Sequence, residues 1–210
     1  MISDSDMKRF PQRTLQGKAW RHQTGASLIF VMMILTIVSL LGVAGIQLSS
    51  LAERGARNDR DLQIAWQSAE AALVDAEAEM YVPTSTSPRV AVFSAANDAS
   101  GFLPGCGSSG NNLGLCALVN TGKPAWLTVD FTNPSTSPTT PFGQFTGRTF
   151  AFGTAGVQPS MKPRYVIEPI RDPGDRDMGN ASPKLIYRVT AMGFGPRPEI
   201  QSVVQMLYRP

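Results

Sequence analysis

The clearest pattern in the chain is an uncharged stretch that covers residues 23–52. As a helix, its apolar centre at residues 26–48 is long enough to cross the roughly 30 Å hydrocarbon core of a bilayer. A secretory signal has a shorter apolar run of about 7–15 residues, although Gly42-Val43-Ala44 has the small-x-small pattern of a signal peptidase site. The length favours a membrane anchor, with a removed signal as the alternative. Under both interpretations the chain after residue 50 is exported.

A second helical pattern follows this stretch and continues to residue 80. Apolar residues recur every three or four positions, and the segment is rich in alanine, which favours a helix. We predict one nearly continuous helix over residues 26–80 that ends before Pro83. Its apolar face should be buried, with Trp66 in the core, and its acidic residues should lie mostly elsewhere. The apolar positions are Leu62, Ala65, Trp66, Ala69, Ala72, Leu73, Ala76 and Met80, and the acidic positions are Glu70, Asp75, Glu77 and Glu79.

The remainder of the chain changes from loop-like to strand-like patterns. Residues 82–163 are rich in Ser, Thr and Pro, as loops are, with short candidate strands at 125–131 and 149–152. Clearer strand patterns occur at 164–170, 184–195 and 199–209, and the short connection between the last two predicts an antiparallel hairpin. One long helix, then loops, then strands predicts an α+β fold, with the helix packed on a small antiparallel sheet.

Charge is distributed unevenly along the chain. The first 25 residues hold five basic and two acidic side chains, whereas the remainder holds 14 of each sign. The basic excess therefore belongs to the leader, which fits a cytoplasmic N-terminus. A balanced exported part lacks the clustered basic face of a nucleic-acid-binding protein, so we predict no nucleic-acid partner.

The chain has two cysteines, Cys106 and Cys116. In an exported domain two cysteines most often form a structural disulfide, and the glycine-rich segment between them can bend to bring the sulfurs together. The alternative is a pair of metal ligands. It lacks further ligands, because the one histidine, His22, lies in the leader. We predict the disulfide.

No catalytic constellation is recognisable in the sequence. There is no nucleophile motif, phosphate-binding loop or metal-ligand spacing, and the exported part has no histidine for a hydrolase triad. Asp172, Asp175 and Asp177 could offer oxygen ligands to calcium, but their spacing differs from an EF-hand and the segment contains turn residues. We predict a solvated loop there, and a protein that is not an enzyme and uses no cofactor or metal.

Alternating charges follow the uncharged stretch directly. One interpretation is a solvated helix face, because exposed ion pairs contribute little to stability. The other is a strip that sets the register between neighbouring helices in an assembly. The sequence favours neither. The residues are Glu53, Arg54, Arg57, Arg60 and Asp61.

Three segments of the chain resemble a known family. The basic leader that ends in Gly25, followed by ASLIFVMMILTIVSLLGVAGI, resembles a type IV pilin precursor. The segment LAERGARNDRDLQIAWQSAEAAL, residues 51–73, is similar to the characteristic segment of the PilX minor pilins. The chain end YRVTAMGFGPRPEIQSVVQMLYR resembles the last strands of the same family.

The resemblance implies a processing site and a departure from the common pattern. Prepilin peptidase would cut between Gly25 and Ala26 on the cytoplasmic side, leaving Ala26 as a methylated N-terminus. Major pilins carry a glutamate five residues after the cut, and this chain has Phe30 there. Because that glutamate is thought to pair with a neighbouring subunit, its absence implies a subunit at or near the filament tip.

The resemblance also implies a function and a location. The chain would be a minor pilin that primes type IV pilus assembly, contacting other minor pilins and the major pilin through its N-terminal helix, together with a tip adhesin. It would wait in the inner membrane with a periplasmic head and then enter the surface filament. The segments expected are a leader (1–25), a filament-core helix (26–50), its amphipathic continuation (51–81), a loop-rich region with the disulfide (82–163) and the strands of the head (164–210).

Two other functions remain open from the sequence. A pseudopilin of a type II secretion system is built on the same kind of helix. A membrane-anchored periplasmic binding module would need a ligand groove, which residues 82–163 could supply.

Overall fold

The computed structural model describes residues 26–81, 86–94, 98–135, 138–153, 157–174 and 184–210. The chain divides into two compact units, residues 1–51 and residues 52–210. The leader with Gly25, and Pro83 as the expected end of the long helix, lie outside the described residues.

The long predicted helix is confirmed as α1, Ala26–Met80. It runs without interruption through Gly42 and Gly45, where a Cβ atom would meet nothing within 4 Å. The hydroxyls of Thr36 and Ser39 donate to the carbonyls of Met32 and Leu35, one turn earlier, at 2.6 and 2.7 Å. These bonds satisfy the polar groups of an otherwise apolar segment from within the helix itself.

The predicted antiparallel sheet is confirmed, with four strands in the order in which they occur in the chain. The second and third strands pair from Arg164↔Met192 to Arg171↔Leu185, and the predicted hairpin pairs from Tyr187↔Tyr208 to Phe194↔Gln201. The strands are β1, Thr140–Pro141; β2, Arg164–Arg171; β3, Leu185–Phe194; and β4, Gln201–Tyr208.

Small residues allow α1 to pack directly on the sheet. Ala65 and Ala69 of α1 are fully buried, and a Cβ at Gly193 of β3 would lie 2.2 Å from both the Ala65 carbonyl oxygen and the Ala69 amide nitrogen. The prediction of a buried Trp66 is wrong, because its side chain is 49% exposed. An indole could not fit where the two backbones approach this closely, so the alanine side of the helix faces the sheet.

The prediction that the acidic residues lie outside the buried face is also wrong for two of them. Asp75 and Glu79 are fully buried, whereas Glu70 and Glu77 are exposed. The Asp75 carboxylate accepts hydrogen bonds from the Gly143 amide at 2.7 Å and from the Thr146 hydroxyl. It thereby fixes the loop after β1 to the helix, because a buried carboxylate must be hydrogen-bonded.

Glu79 forms a buried ion pair with Arg89, whose guanidinium also donates to the Leu113 carbonyl at 2.5 Å. Arg89 lies 3.8 Å from the ring centroid of Phe145. The pair connects the end of α1 to the segment that begins the short helix α2, Val90–Ser94.

The prediction of two strands in the middle of the chain is wrong. Residues Ala125–Leu127 form a 3₁₀ helix, as do residues Gly110–Asn112, and residues 149–152 have no regular structure. The 3₁₀ turn begins directly after Pro124, and the apolar residues of this region pack without forming a ladder.

The disulfide segment lies against the sheet. Cys106 and Cys116 are bonded. The amide of Cys116 donates to the Ile167 carbonyl, and the amide of Ile167 donates to the Gly114 carbonyl, both at 2.9 Å, so the segment continues the sheet beside β2. A second apolar cluster is separate from the main one, which contains Ala69, Ala72 and Ala76 of α1. The second cluster is formed by Cys106, Cys116, Ala125, Phe131 and Val166.

Candidate assembly interface

The first unit offers an apolar helix surface that no described residue covers. The large apolar side chains between Leu28 and Leu48 are between 47% and 73% exposed. By length and composition this part of α1 could span a membrane. An apolar surface on every side of a helix requires a nonpolar environment, which lipid or other helices can supply.

Phe30 lies on this apolar surface, in the second turn of α1, with 65% of its side chain exposed. An ionised side chain at such a position is costly in lipid unless it is paired, whereas phenylalanine has no such cost.

The second unit carries the charged strip, which is partly engaged within the subunit. Glu53 and Arg57 form an exposed ion pair one turn apart. Asp61 has only 12% of its side chain exposed and contacts Arg60 at 3.1 Å and Arg197 at 4.0 Å. Asp61 is thus the residue of the strip that also contacts the turn between β3 and β4.

The arginines of this region surround an open cavity of about 490 Å³. Arg197 belongs to this group, and the sequence does not predict this, because no helical spacing connects a β-turn residue to a helix. Arginine is well suited to contact carboxylates, since its planar guanidinium can donate two parallel hydrogen bonds. The cavity is lined by Arg54, Arg57, Asn58, Arg60, Asp61 and Arg197.

A third feature is an exposed apolar stripe on α1. Leu62, Trp66 and Val74 are 44%, 49% and 52% exposed, and they follow one another at multiples of four residues. The Trp66 indole N–H donates to the Glu70 carboxylate at 2.7 Å, which fixes the ring on the outer surface. The stripe can pack against an apolar helix face of another subunit.

The acidic loop that could have held calcium has an internal role where the structure describes it. Asp172 accepts a hydrogen bond from the Gly174 amide at 2.8 Å and pairs with Arg209 at 2.7 Å. Asp175 and Asp177 lie outside the described residues. Within the described ranges no group of three His, Cys, Asp or Glu side chains could hold a metal ion.

Comparison with known proteins gives two matches to family models. The PilX N-terminal model matches residues 24–74, and the model of the C-terminal part of type IV pilus assembly protein PilX matches residues 112–210. Searches of curated proteins and of solved structures found no match. The first match contains the apolar helix, the charged strip and the exposed stripe, and the second contains the whole sheet. The chain therefore belongs to the PilX family of type IV pilus assembly proteins and is a minor pilin.

Proposed function

We propose that this minor pilin primes type IV pilus assembly at or near the filament tip, together with other minor pilins and a tip adhesin. The observation that carries the proposal is the exposed apolar helix of residues 26–48 within the PilX N-terminal match. Such a helix is stable in a bilayer before assembly and in a bundle of like helices afterwards, so one surface serves both states.

Prepilin peptidase cuts the chain between Gly25 and Ala26, and Ala26 becomes the methylated N-terminus of the mature subunit. The match to the family model begins at residue 24, so the cut lies inside it. The subunit then crosses the inner membrane once, with a cytoplasmic N-terminus and a periplasmic head. The basic leader supports this orientation.

Neighbouring pilins contact the subunit along the exposed surface of its helix. Trp66 supplies a large rigid ring, and the arginines around Asp61 supply donors to acidic residues of the neighbour. Aromatic and arginine side chains commonly carry most of the binding energy of an interface. The charged groups, unlike the apolar contacts, determine the register between the two helices and the partner that can bind.

Phe30 supports a place at or near the tip. A subunit without a carboxylate at this position lacks the group that pairs with the amine of a neighbouring chain. It can join a complex that starts the fibre without competing with the major pilin for places along the shaft.

The rival functions are less well supported. The PilX matches cover both the helix and the sheet, which favours the pilus over a type II secretion pseudopilin. The same matches favour a structural pilus subunit over a membrane-anchored binding module.

Processing of the chain tests the proposal. The protein would be isolated from its native membranes, with and without prepilin peptidase, and its N-terminus and intact mass determined. We expect a mature chain that begins at methylated Ala26 and appears only when the peptidase is present. A Gly25→Ala variant should stay unprocessed and fail to support pilus formation. A chain that begins near Gly45, or that retains Met1 in the presence of the peptidase, would contradict the proposal.

A further inference from the structure

A small cavity with mostly apolar walls lies beside the first residue of β2, and it shares no lining residue with the assembly surfaces described above. Its volume is about 240 Å³. Phe131 is a buried wall, Phe152 is 47% exposed, and Met161 is partly buried. Two cationic residues, Lys162 and Arg164, also line it.

Arg164 is unusual because it is a buried cation without an acidic partner among the described residues. Only 8% of its surface is exposed, and no described Asp or Glu lies within 4.0 Å of it. Its Nε donates to the Thr139 hydroxyl at 2.6 Å, and Nη2 donates to the Thr139 carbonyl at 2.9 Å. Nη1 makes no hydrogen bond within the described part of the chain. The guanidinium is thus held in a fixed orientation with donor capacity remaining.

The other buried cation behaves differently. Arg89 is fully buried but pairs with Glu79, as expected from the high cost of burying an isolated charge. At Arg164 that cost is only partly offset by neutral oxygens. Burial lowers the pKa of Arg164, which reflects the same lack of a compensating charge. A carboxylate from another molecule would supply the missing partner.

Lys162 and the apolar walls of the cavity indicate the remaining chemistry of the ligand. Lys162 lies with its Nζ 5.6 Å from the ring centroid of Phe152, at the exposed side of the cavity. No described Asp or Glu pairs with Lys162 either. The ligand should therefore join a carboxylate to an apolar group. At about 240 Å³ the cavity is smaller than the roughly 300–1,000 Å³ of typical small-molecule sites, and it suits one or two side chains.

We propose that this cavity binds an acidic side chain of a partner protein, presented next to an apolar residue. The carboxylate pairs with Arg164 and Lys162, and the apolar neighbour packs on Phe131, Phe152 and Met161. The site does not depend on the assembly role proposed above, and its test uses purified protein without a filament.

Binding of defined peptides to the detergent-solubilised full chain tests the proposal. The probes are N-acetyl-phenylalanyl-glutamate amide and its glutamine analogue, with ligand-detected NMR as the readout. A charge-assisted hydrogen bond contributes about 1.5–3 kcal/mol, so the glutamate peptide should bind at least about tenfold more tightly. Equal binding of the two peptides would overturn the proposal.

Two variants test whether Lys162 and Arg164 cause the preference for the glutamate peptide. Lys162→Gln should weaken the glutamate peptide several-fold and leave the glutamine peptide unchanged, and Arg164→Gln should remove the preference for glutamate altogether. Lys123→Gln changes an exposed lysine that does not line the cavity, and it should have no effect. If Arg164→Gln does not fold, the binding measured with Lys162→Gln alone decides whether the proposal holds. An unchanged preference for glutamate in Lys162→Gln would contradict the assignment.

A further binding experiment distinguishes a protein side chain from a small carboxylic acid as the source of the carboxylate. 3-Phenylpropanoate has the same chemistry as the peptide without the backbone. Weaker binding than the glutamate peptide is expected for a protein ligand. Tighter binding of 3-phenylpropanoate than of the peptide would reject a protein partner in favour of a small carboxylic acid.

Discussion

At Gly193 a single missing side chain permits the contact between α1 and the sheet. The position of a Cβ there, 2.2 Å from backbone atoms of Ala65 and Ala69, leaves no flexible neighbour that could move aside. Steric overlap with backbone is relieved only by separating the two elements, which loses packing around the fully buried alanines.

We therefore expect Gly193→Ala to lower the free energy of unfolding by about 2–3 kcal/mol. Chemical denaturation of the full chain in detergent, followed by circular dichroism, measures the change. Gly55→Ala is the matched control, because a Cβ at this helical glycine meets nothing within 4 Å. That variant should be more stable than the wild type by up to about 1 kcal/mol. Unchanged stability of Gly193→Ala would show that the close approach of α1 and β3 does not require a glycine at this position.

Glu79 links stability to pH. Burial raises the pKa of Glu79 to about 7, and the charge of Arg89 and its hydrogen bond act in the opposite direction. Its second carboxylate oxygen is fully buried, which disfavours the charged form.

Because the folded state binds this proton more tightly than the unfolded state does, stability from Glu79 is full below about pH 4.5 and falls as the pH rises to about 7. The expected loss across that window is up to about 3 kcal/mol. Glu79→Gln should flatten the curve of unfolding free energy against pH in this range. Glu77→Gln, at an exposed carboxylate two residues earlier, should leave the curve as it is. If the wild type were more stable at pH 7 than at pH 5, and Glu79→Gln removed that difference, the ion pair with Arg89 would dominate instead.

At the scale of elements, the sequence was sufficient to predict α1, β2, β3 and β4. Their signals are long and regular: an uncharged run, a helical period and three strand patterns that end in turns. The middle of the chain could not be predicted in this way. Its structure depends on distant partners, such as Ile167 for the disulfide segment and Asp75 for the loop after β1.

The orientation of α1 was the main error, and its cause is physical. Hydrophobic periodicity assigns the largest apolar residue to the core, so Trp66 was expected there. The sheet instead accepts the alanine side of the helix, because Gly193 allows an approach too close for a large ring. Two carboxylates could then be buried on that side because specific donors reach them.

The exposed position of Trp66 gives a prediction about assembly. Trp66→Ala should change the free energy of unfolding by less than about 1 kcal/mol, because half of the side chain is already in water. If the ring packs on a neighbouring subunit, the same variant should reduce the number of pili per cell several-fold. Gln67→Ala, at the adjacent exposed position, serves as the control and should leave pilus number unchanged. Normal piliation with Trp66→Ala would remove the stripe from the interface, and a large loss of stability would mean that the ring belongs to the fold.

At the scale of the whole molecule, the chain combines an apolar helix segment that no described residue covers with a second unit whose buried carboxylates have partners within the subunit. The apolar segment is exposed throughout, whereas Asp61, Asp75, Glu79, Glu168 and Asp172 of the second unit each have a partner within the subunit. Under the function proposed above, recognition in the filament core would depend on the few positions where this apolar helix differs from those of other pilins.

Phe30 is such a position, and replacing it tests the proposed place in the filament. Phe30→Glu supplies the carboxylate that major pilins carry, and a charge in a nonpolar environment is stable only when paired. We expect the variant to enter the shaft, so that its amount per pilus relative to the major pilin rises several-fold in sheared fibres, measured by quantitative mass spectrometry. Phe30→Leu keeps an apolar side chain and should behave as the wild type. Immunogold labelling should show the wild type at fibre ends and Phe30→Glu along the length. Wild-type protein distributed along the shaft would contradict the tip assignment, and an unchanged distribution of Phe30→Glu would show that this position does not determine where the subunit docks.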